Sequence, residues 1–98
     1  MTEAVTDASP HVACMADAMQ AAYFRGVLSG MRAELQATVV KAGSRMQRCL
    51  AAGDRMTSQR LRHEIRGHEY EVSQLDWLIA RLDRRYSALW SKSAAELG

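Results

Sequence analysis

The apolar positions of this chain repeat with the spacing of packed α-helices. From residue 61 onward, the members of one stripe follow each other in alternating steps of four and three residues. The mean step of about 3.5 residues is typical of coiled coils. The stripe is Leu61, Ile65, His68, Val72, Leu75, Ile79, Leu82, Tyr86 and Leu89. It predicts a long amphipathic helix that runs to about Trp90.

The part of the chain before residue 52 carries a second stripe with a near-heptad period. One series lies at steps of seven residues: Cys14, Ala21, Leu28, Leu35, Ala42 and Cys49. We expect a second series to fill the positions between them: Phe24, Met31, Val39 and Met46. Ser9-Pro10 is typical of a helix start, because serine caps free N–H groups and proline fits the first helical position. A first helix is therefore predicted from there to Ala52.

The interior of the chain has one strong turn sequence, Ala51-Ala-Gly53-Asp54. Glycine suits the left-handed position that ends a helix, and Asp54, Thr57 or Ser58 can cap the next one. This sequence predicts a tight connection between two helices.

The first helix also contains Gly26 and Gly30, and each weakens it by about 1 kcal/mol relative to alanine. The pair allows either a close approach by another helix or a break that divides the segment in two.

These features predict an all-α protein, an antiparallel two-helix hairpin of coiled-coil type. Three helices are the alternative if the first one breaks near Gly26–Gly30. The single domain is expected over residues 9–91, with the turn near 51–57 and flexible tails at 1–8 and 92–98. A lone hairpin buries little core for its size, so the fold itself predicts association with a partner.

The composition predicts the cellular environment in which the protein works. Cys14 and Cys49 are the only cysteines and lack metal-ligand spacing, which favours reduced thiols and a cytoplasmic location. No apolar run reaches the roughly 20 residues of a membrane span.

Enzyme motifs are not found in the sequence. His63-Glu-Ile-Arg-Gly-His68 has one residue more than the zinc-protease pattern, so its histidines point about 140° apart on a helix. No phosphate loop or nucleophile–base grouping stands out. We therefore expect a non-enzyme with no cofactor and no metal.

The second helix carries large apolar residues away from its stripe. Tyr70 and Trp77 lie two turns apart on the outward line, and Leu78 and Trp90 widen the apolar area. These four residues are the predicted partner-binding site. The alternative is that residues 10–30 fold back over this line and make it core.

A basic group surrounds the predicted turn, with six arginines against Asp54 and Glu64. Its members are Arg45, Arg48, Arg55, Arg60, Arg62 and Arg66. The overall formal charge of +2 and the lack of interleaved aromatics do not favour nucleic acid, and a solvated face is the simpler interpretation.

Gln47-Arg-Cys-Leu-Ala-Ala-Gly53, followed by a polar turn and the stripe from Leu61, resembles the small hairpin co-chaperones of the type III secretion needle subunit. In that family a helix ends in Leu-x-x-Gly and a second amphipathic helix follows. The resemblance covers residues 30–90. It implies a cytoplasmic protein that holds the needle subunit soluble together with a helical-repeat chaperone.

Tyr23-Phe-Arg-Gly-Val-Leu-Ser-Gly-Met-Arg-Ala-Glu-Leu35 is similar to the first coiled-coil helix of the DksA/TraR transcription factors, and Asp54-Arg55 to part of their tip. This second resemblance implies a tip that enters the secondary channel of RNA polymerase. Ala51 stands where the family has its first aspartate, Met56 replaces an alanine, and the zinc-binding cysteines are missing from the sequence.

The sequence thus predicts a protein-binding helical hairpin, a chaperone-like or adaptor component of a bacterial secretion apparatus. Its expected partner is another helical protein or a second copy. One alternative is a transcription-regulating coiled-coil factor that binds RNA polymerase or nucleic acid through the basic tip. The other is a homodimeric four-helix bundle with a structural role.

Overall fold

The computed structural model describes the backbone of residues 10–97 and the side chains of 14–95. It consists of two helices, α1 (Pro10–Ala51) and α2 (Arg55–Leu97), which pack antiparallel against each other. Among the described residues there is no strand. The predicted all-α two-helix hairpin is confirmed. The predicted tail at 1–8 and the capping Ser9 lie outside the described residues.

Each of the two helices is continuous over its whole length. α1 runs unbroken through Gly26 and Gly30, and no third helix occurs in the described part of the chain. A Cβ built at either glycine meets no described atom within 4 Å, so no helix approaches them closely. Leu28, which lies between them, is buried in the seam. α2 continues to Leu97, where the sequence predicted a tail from residue 92.

The turn uses Gly53 and Asp54 for both helix ends. Gly53 has φ 77°, and its N–H donates to the carbonyl of Leu50 at 3.1 Å, while that of Asp54 donates to Cys49 at 2.8 Å. This is the Schellman arrangement that closes a helix. Asp54 Oδ1 then accepts the N–H of Thr57 at 3.1 Å and caps α2. Hydrogen bonds from Thr57 lower the pKa of Asp54 below its ordinary value.

The seam between the helices follows the predicted stripe on α2. Every stripe residue is buried or half-buried, with Leu61, Val72 and Leu75 the most enclosed. On α1, the predicted series at seven-residue steps faces them from Ala21 to Cys49, whereas Cys14 is exposed. The seam therefore has the heptad packing that the sequence predicts for this part of the hairpin.

The second series on α1 differs from the prediction. Val39 and Met46 lie in the seam as expected, but the preceding places at seven-residue steps are taken by Arg32, Arg25 and Ala18. The phase that Val39 and Met46 set near the turn continues unchanged along the helix. Phe24 and Met31 each precede a member of this series, Arg25 and Arg32, by one residue. Their side chains are consequently rotated by about 100° away from it around the helix.

Those arginines pair with α2 along one side of the seam, the paired face. Arg25 donates from Nε to Asp83 Oδ1 at 2.6 Å and from Nη2 to Oδ2 at 3.1 Å. Arg32 makes the same two-point contact with Asp76. Bidentate geometry fixes orientation as well as distance. The two pairs therefore hold one register between the helices over successive heptads.

The Arg25 hydrogen bonds hold the pKa of Asp83 below its ordinary value. The folded chain consequently binds fewer protons than the unfolded chain near the ordinary aspartate pKa of about 3.9. The stabilisation from this group is complete above that pKa and is lost as pH falls through the lower folded value.

We predict opposite effects of alanine at two glycines. Gly53→Ala should lower the free energy of unfolding by about 1–2 kcal/mol, because alanine is strained at a left-handed φ. Gly43→Ala, inside α1 with open space around its Cβ, should raise it by up to about 1 kcal/mol. Urea unfolding at one fixed protein concentration measures both. Equal effects would contradict the turn geometry.

The Arg25–Asp83 pair should make part of the stability depend on pH. At pH 6, Arg25→Gln should unfold at a lower urea concentration than the native chain. The difference should shrink as pH falls through the lowered pKa of Asp83, because protonation of Asp83 breaks a pair that only the native chain has. A difference that stays constant with pH would mean that Arg25 stabilises only by packing its aliphatic stem.

Candidate protein-binding surface

The side of the seam opposite the paired face is here called the open face. It consists of Phe24 and Met31 from α1 and Leu78 from α2, above the seam residues Leu28 and Leu82. Phe24 is 51% exposed, Met31 48% and Leu78 36%, so three large apolar side chains stand partly in water. Exposed apolar residues clustered in this way are typical of interaction surfaces.

Shallow depressions follow one another along this face. One is lined by Phe24, Leu28 and Leu82, with Tyr86 at its end, and it continues past Tyr23 and Gln20. Another lies further toward the turn, between Met31, Leu35, Thr38 and Glu71. These depressions lie in line between the two helices above the seam, and this line is here called the groove.

The rim of the groove changes charge along its length. Arg81 and Arg85 line it near Phe24, while Glu34 and Glu71 line it near Met31 and Thr38. The Arg85 guanidinium lies 5.4 Å from the centre of the Tyr86 ring, and Glu71 contacts His68 at 3.3 Å. On the α2 side the groove is thus basic toward the chain termini and acidic toward the turn, whereas Asp17 of α1 lines its terminal end.

Tyr70 and Trp77, here called the outer line, lie behind this rim on α2. Their side chains are 66% and 55% exposed. The guanidinium of Arg81 lies 4.8 Å from the centre of the Trp77 ring, a cation–π distance. Because Arg81 also lines the groove, the outer line borders the open face. No described segment folds back over these rings.

Trp90, the fourth residue of the predicted partner-binding set, lies elsewhere. Its Nε1 donates to the carbonyl of Ala18 at 2.8 Å, and its ring stacks on Tyr86 at 6.0 Å. It is half-buried and seals the terminal end of the paired face. The structure therefore separates Trp90 from Tyr70, Trp77 and Leu78, because seven-residue steps place Trp90 in line with Asp76 and Asp83, which face α1.

The six arginines of the basic tip are all exposed. Seven-residue steps place Arg45 on the side of Met31 and the open face, and Arg62 on the side of Asp76 and the paired face. The arginines therefore surround the tip rather than lining one surface, an arrangement typical of a solvated end.

The described residues contain no group of three or more His, Cys, Asp or Glu side chains that could hold a metal ion. His68 is half-buried in the seam, and His63 is exposed. Cys14 and Cys49 are both free. Since α1 is continuous, about 52 Å of helix separates the two thiols, which excludes a disulfide between them within one chain.

Phe24 and Met31, like Cys14, lie on the surface although the sequence pattern placed them in the core stripe. A usable pattern existed, because Ala18, Arg25, Arg32, Val39 and Met46 keep strict steps of seven. Arginine in a core series argues against that choice in the sequence alone, because its partners Asp76 and Asp83 lie far away in the chain.

Comparisons with protein-family models, with curated proteins and with solved structures found no match. Neither described helix has a stretch long and apolar enough to cross a bilayer.

The structure predicts that the outer line is dispensable for folding. Tyr70→Ala combined with Trp77→Ala should leave the far-ultraviolet circular dichroism spectrum unchanged and shift the thermal midpoint by only a few degrees. The reason is that neither ring packs between the helices. A collapse of helicity in this variant would show that the rings belong to the core.

Proposed function

We propose that this chain is a non-catalytic, protein-binding helical hairpin that acts as a chaperone-like or adaptor component. The observation that carries the proposal is the open face, where Phe24, Met31 and Leu78 stand exposed along a groove between two helices. An apolar groove of this shape suits the apolar side of an amphipathic helix.

The surface area supports a binding role. The chain exposes 7544 Å², whereas a compact monomer of its 10.9 kDa mass exposes about 5,600 Å². The core of the described residues is small. Its buried apolar side chains include two alanines, and the largest of them are leucines. Docking a partner on the groove would supply the hydrophobic burial that two helices alone do not provide.

The resemblance to type III secretion co-chaperones fits this role and gives it a concrete form. In that form the chain works in the bacterial cytoplasm and keeps an aggregation-prone helical subunit soluble by covering its apolar stripe. Met31 in the groove suits such a partner, because methionine adapts to irregular apolar surfaces.

Affinity capture from the native cells at moderate salt tests the proposal with a matched pair of variants. Met31→Asp places a charge in the groove, and Met19→Asp makes the same change at a 72% exposed site on α1 outside the open face. The native chain and Met19→Asp should recover a helical partner, or untagged copies of the chain, in stoichiometric amounts. Met31→Asp should recover at least tenfold less while remaining helical.

The transcription alternative gives a different result in the same experiment. RNA polymerase subunits or nucleic acid would be recovered, and recovery would fall steeply as salt rises. Charge reversal at Arg55, Arg60 and Arg62 would abolish it, and Met31→Asp would not. That pattern would overturn the groove proposal.

A further inference from the structure

We infer that the partner on the open face is a second copy of this chain, packed antiparallel across a two-fold axis to give a four-helix bundle. This inference rests on the proposed function and names the occupant of its groove. It follows from the order of charges along the two helix margins that border the open face.

The margin of α2 consists of residues at steps of seven, and its charge is antisymmetric about the centre. In chain order the residues are Glu64, Glu71, Leu78, Arg85 and Lys92. Two acids, one leucine and two bases thus follow each other along one line. The leucine is the 36% exposed residue in the middle of the open face.

The margin of α1 has the same property. Its residues are Asp17, Phe24, Met31, Thr38 and Arg45, with an acid and a base at opposite ends and apolar Met31 at the centre. Residues 25 and 32 pair with 83 and 76, so Met31 and Leu78 lie within one residue of the same level of the hairpin. Both margins therefore change sign about one common level.

Consider a two-fold axis through that level, perpendicular to the helices and parallel to the open face. Along both margins it brings acidic residues of one copy opposite basic residues of the other. It lays α2 antiparallel on α2 of the second copy, with Leu78 against Leu78. Arg85 and Glu71 lie equally far from the axis on either side, about 10 Å along the helix. Each Arg85 then faces Glu71 of the second copy, and each Lys92 faces Glu64.

The other two-fold arrangement, with the axis along the hairpin, gives such a match only at the ends, where Lys92 meets Asp17 and Glu64 meets Arg45. It lays α1 on α2 of the second copy with both hairpins parallel. Arg85 then faces Phe24, and Glu71 faces Thr38, so both central charges lose their aqueous surroundings without an opposite charge. Burying an unpaired charge is costly, and the antiparallel arrangement is therefore favoured.

The size of the face suits a stable dimer. From Glu64 to Lys92 the α2 margin extends about 42 Å, and two helices side by side are about 20 Å wide. The resulting area of about 800 Å² per copy is what a standard protein–protein interface covers on each partner.

Charge exchange at Arg85 and Glu71 tests the inference on the full-length chain. Sedimentation equilibrium should show a dimer for the native chain. Arg85→Glu and Glu71→Arg should each raise the dimer dissociation constant at least tenfold, because each puts like charges opposite one another at both ends. Arg84→Glu, the same change at an exposed position seven residues after Trp77 and off the α2 margin, should leave the dimer unaffected.

Two rescues identify the antiparallel register. The double variant Arg85→Glu/Glu71→Arg should dimerise like the native chain. An equimolar mixture of the two single variants should form a heterodimer, since every contact in it joins opposite charges. Circular dichroism checks that all variants are helical. A monomeric native chain, or a dimer indifferent to these changes, would overturn the inference.

Failure of this inference is distinguishable from failure of the proposed function. If the native chain is monomeric while cellular capture of another protein still depends on Met31, the groove binds a different helix and only the second-copy inference is wrong. If neither self-association nor capture depends on Met31, both are wrong.

Discussion

Two helices joined by a tight turn can bury only one stripe each, and the phase of that stripe on α1 governs the rest of this protein. The turn at Gly53 and Asp54 brings the helices together in a fixed register. Val39 and Met46 then set the phase near the turn, and α-helical geometry carries it unchanged to the far end. The resulting seam contains Arg25 and Arg32 and leaves Phe24 and Met31 outside.

The two arginines can occupy seam positions without burying their charges. Their aliphatic stems lie along the seam, while the guanidinium groups reach Asp83 and Asp76 at its edge. Partly exposed ion pairs contribute little to stability individually. Their main effect here is specificity, because a shift of one residue would separate two bidentate pairs at once. The paired face is thus closed by polar contacts, whereas Phe24, Met31 and Leu78 lie on the opposite side of the seam.

This asymmetry connects the fold to the proposed function. One side of the hairpin satisfies its own charges and the hydrogen bond of Trp90, so it requires no partner. The other side exposes three apolar side chains between margins whose charges reverse about a common centre. A surface that is both apolar and self-complementary in charge suits a helical partner, and above all a second copy of itself.

The sequence by itself determined the two helices, the turn and the seam of α2, because heptad spacing, a glycine suited to the left-handed region and a capping aspartate act locally. It also identified Tyr70, Trp77 and Leu78 as outward residues. It did not determine which side of α1 packs in the seam. Phe24 and Met31 form one apolar series there, and the adjacent series contains the charged Arg25 and Arg32. Only the tertiary structure decided this, because Asp76 and Asp83 lie more than forty residues away in the chain, and their pairing with arginine places Phe24 and Met31 on the surface.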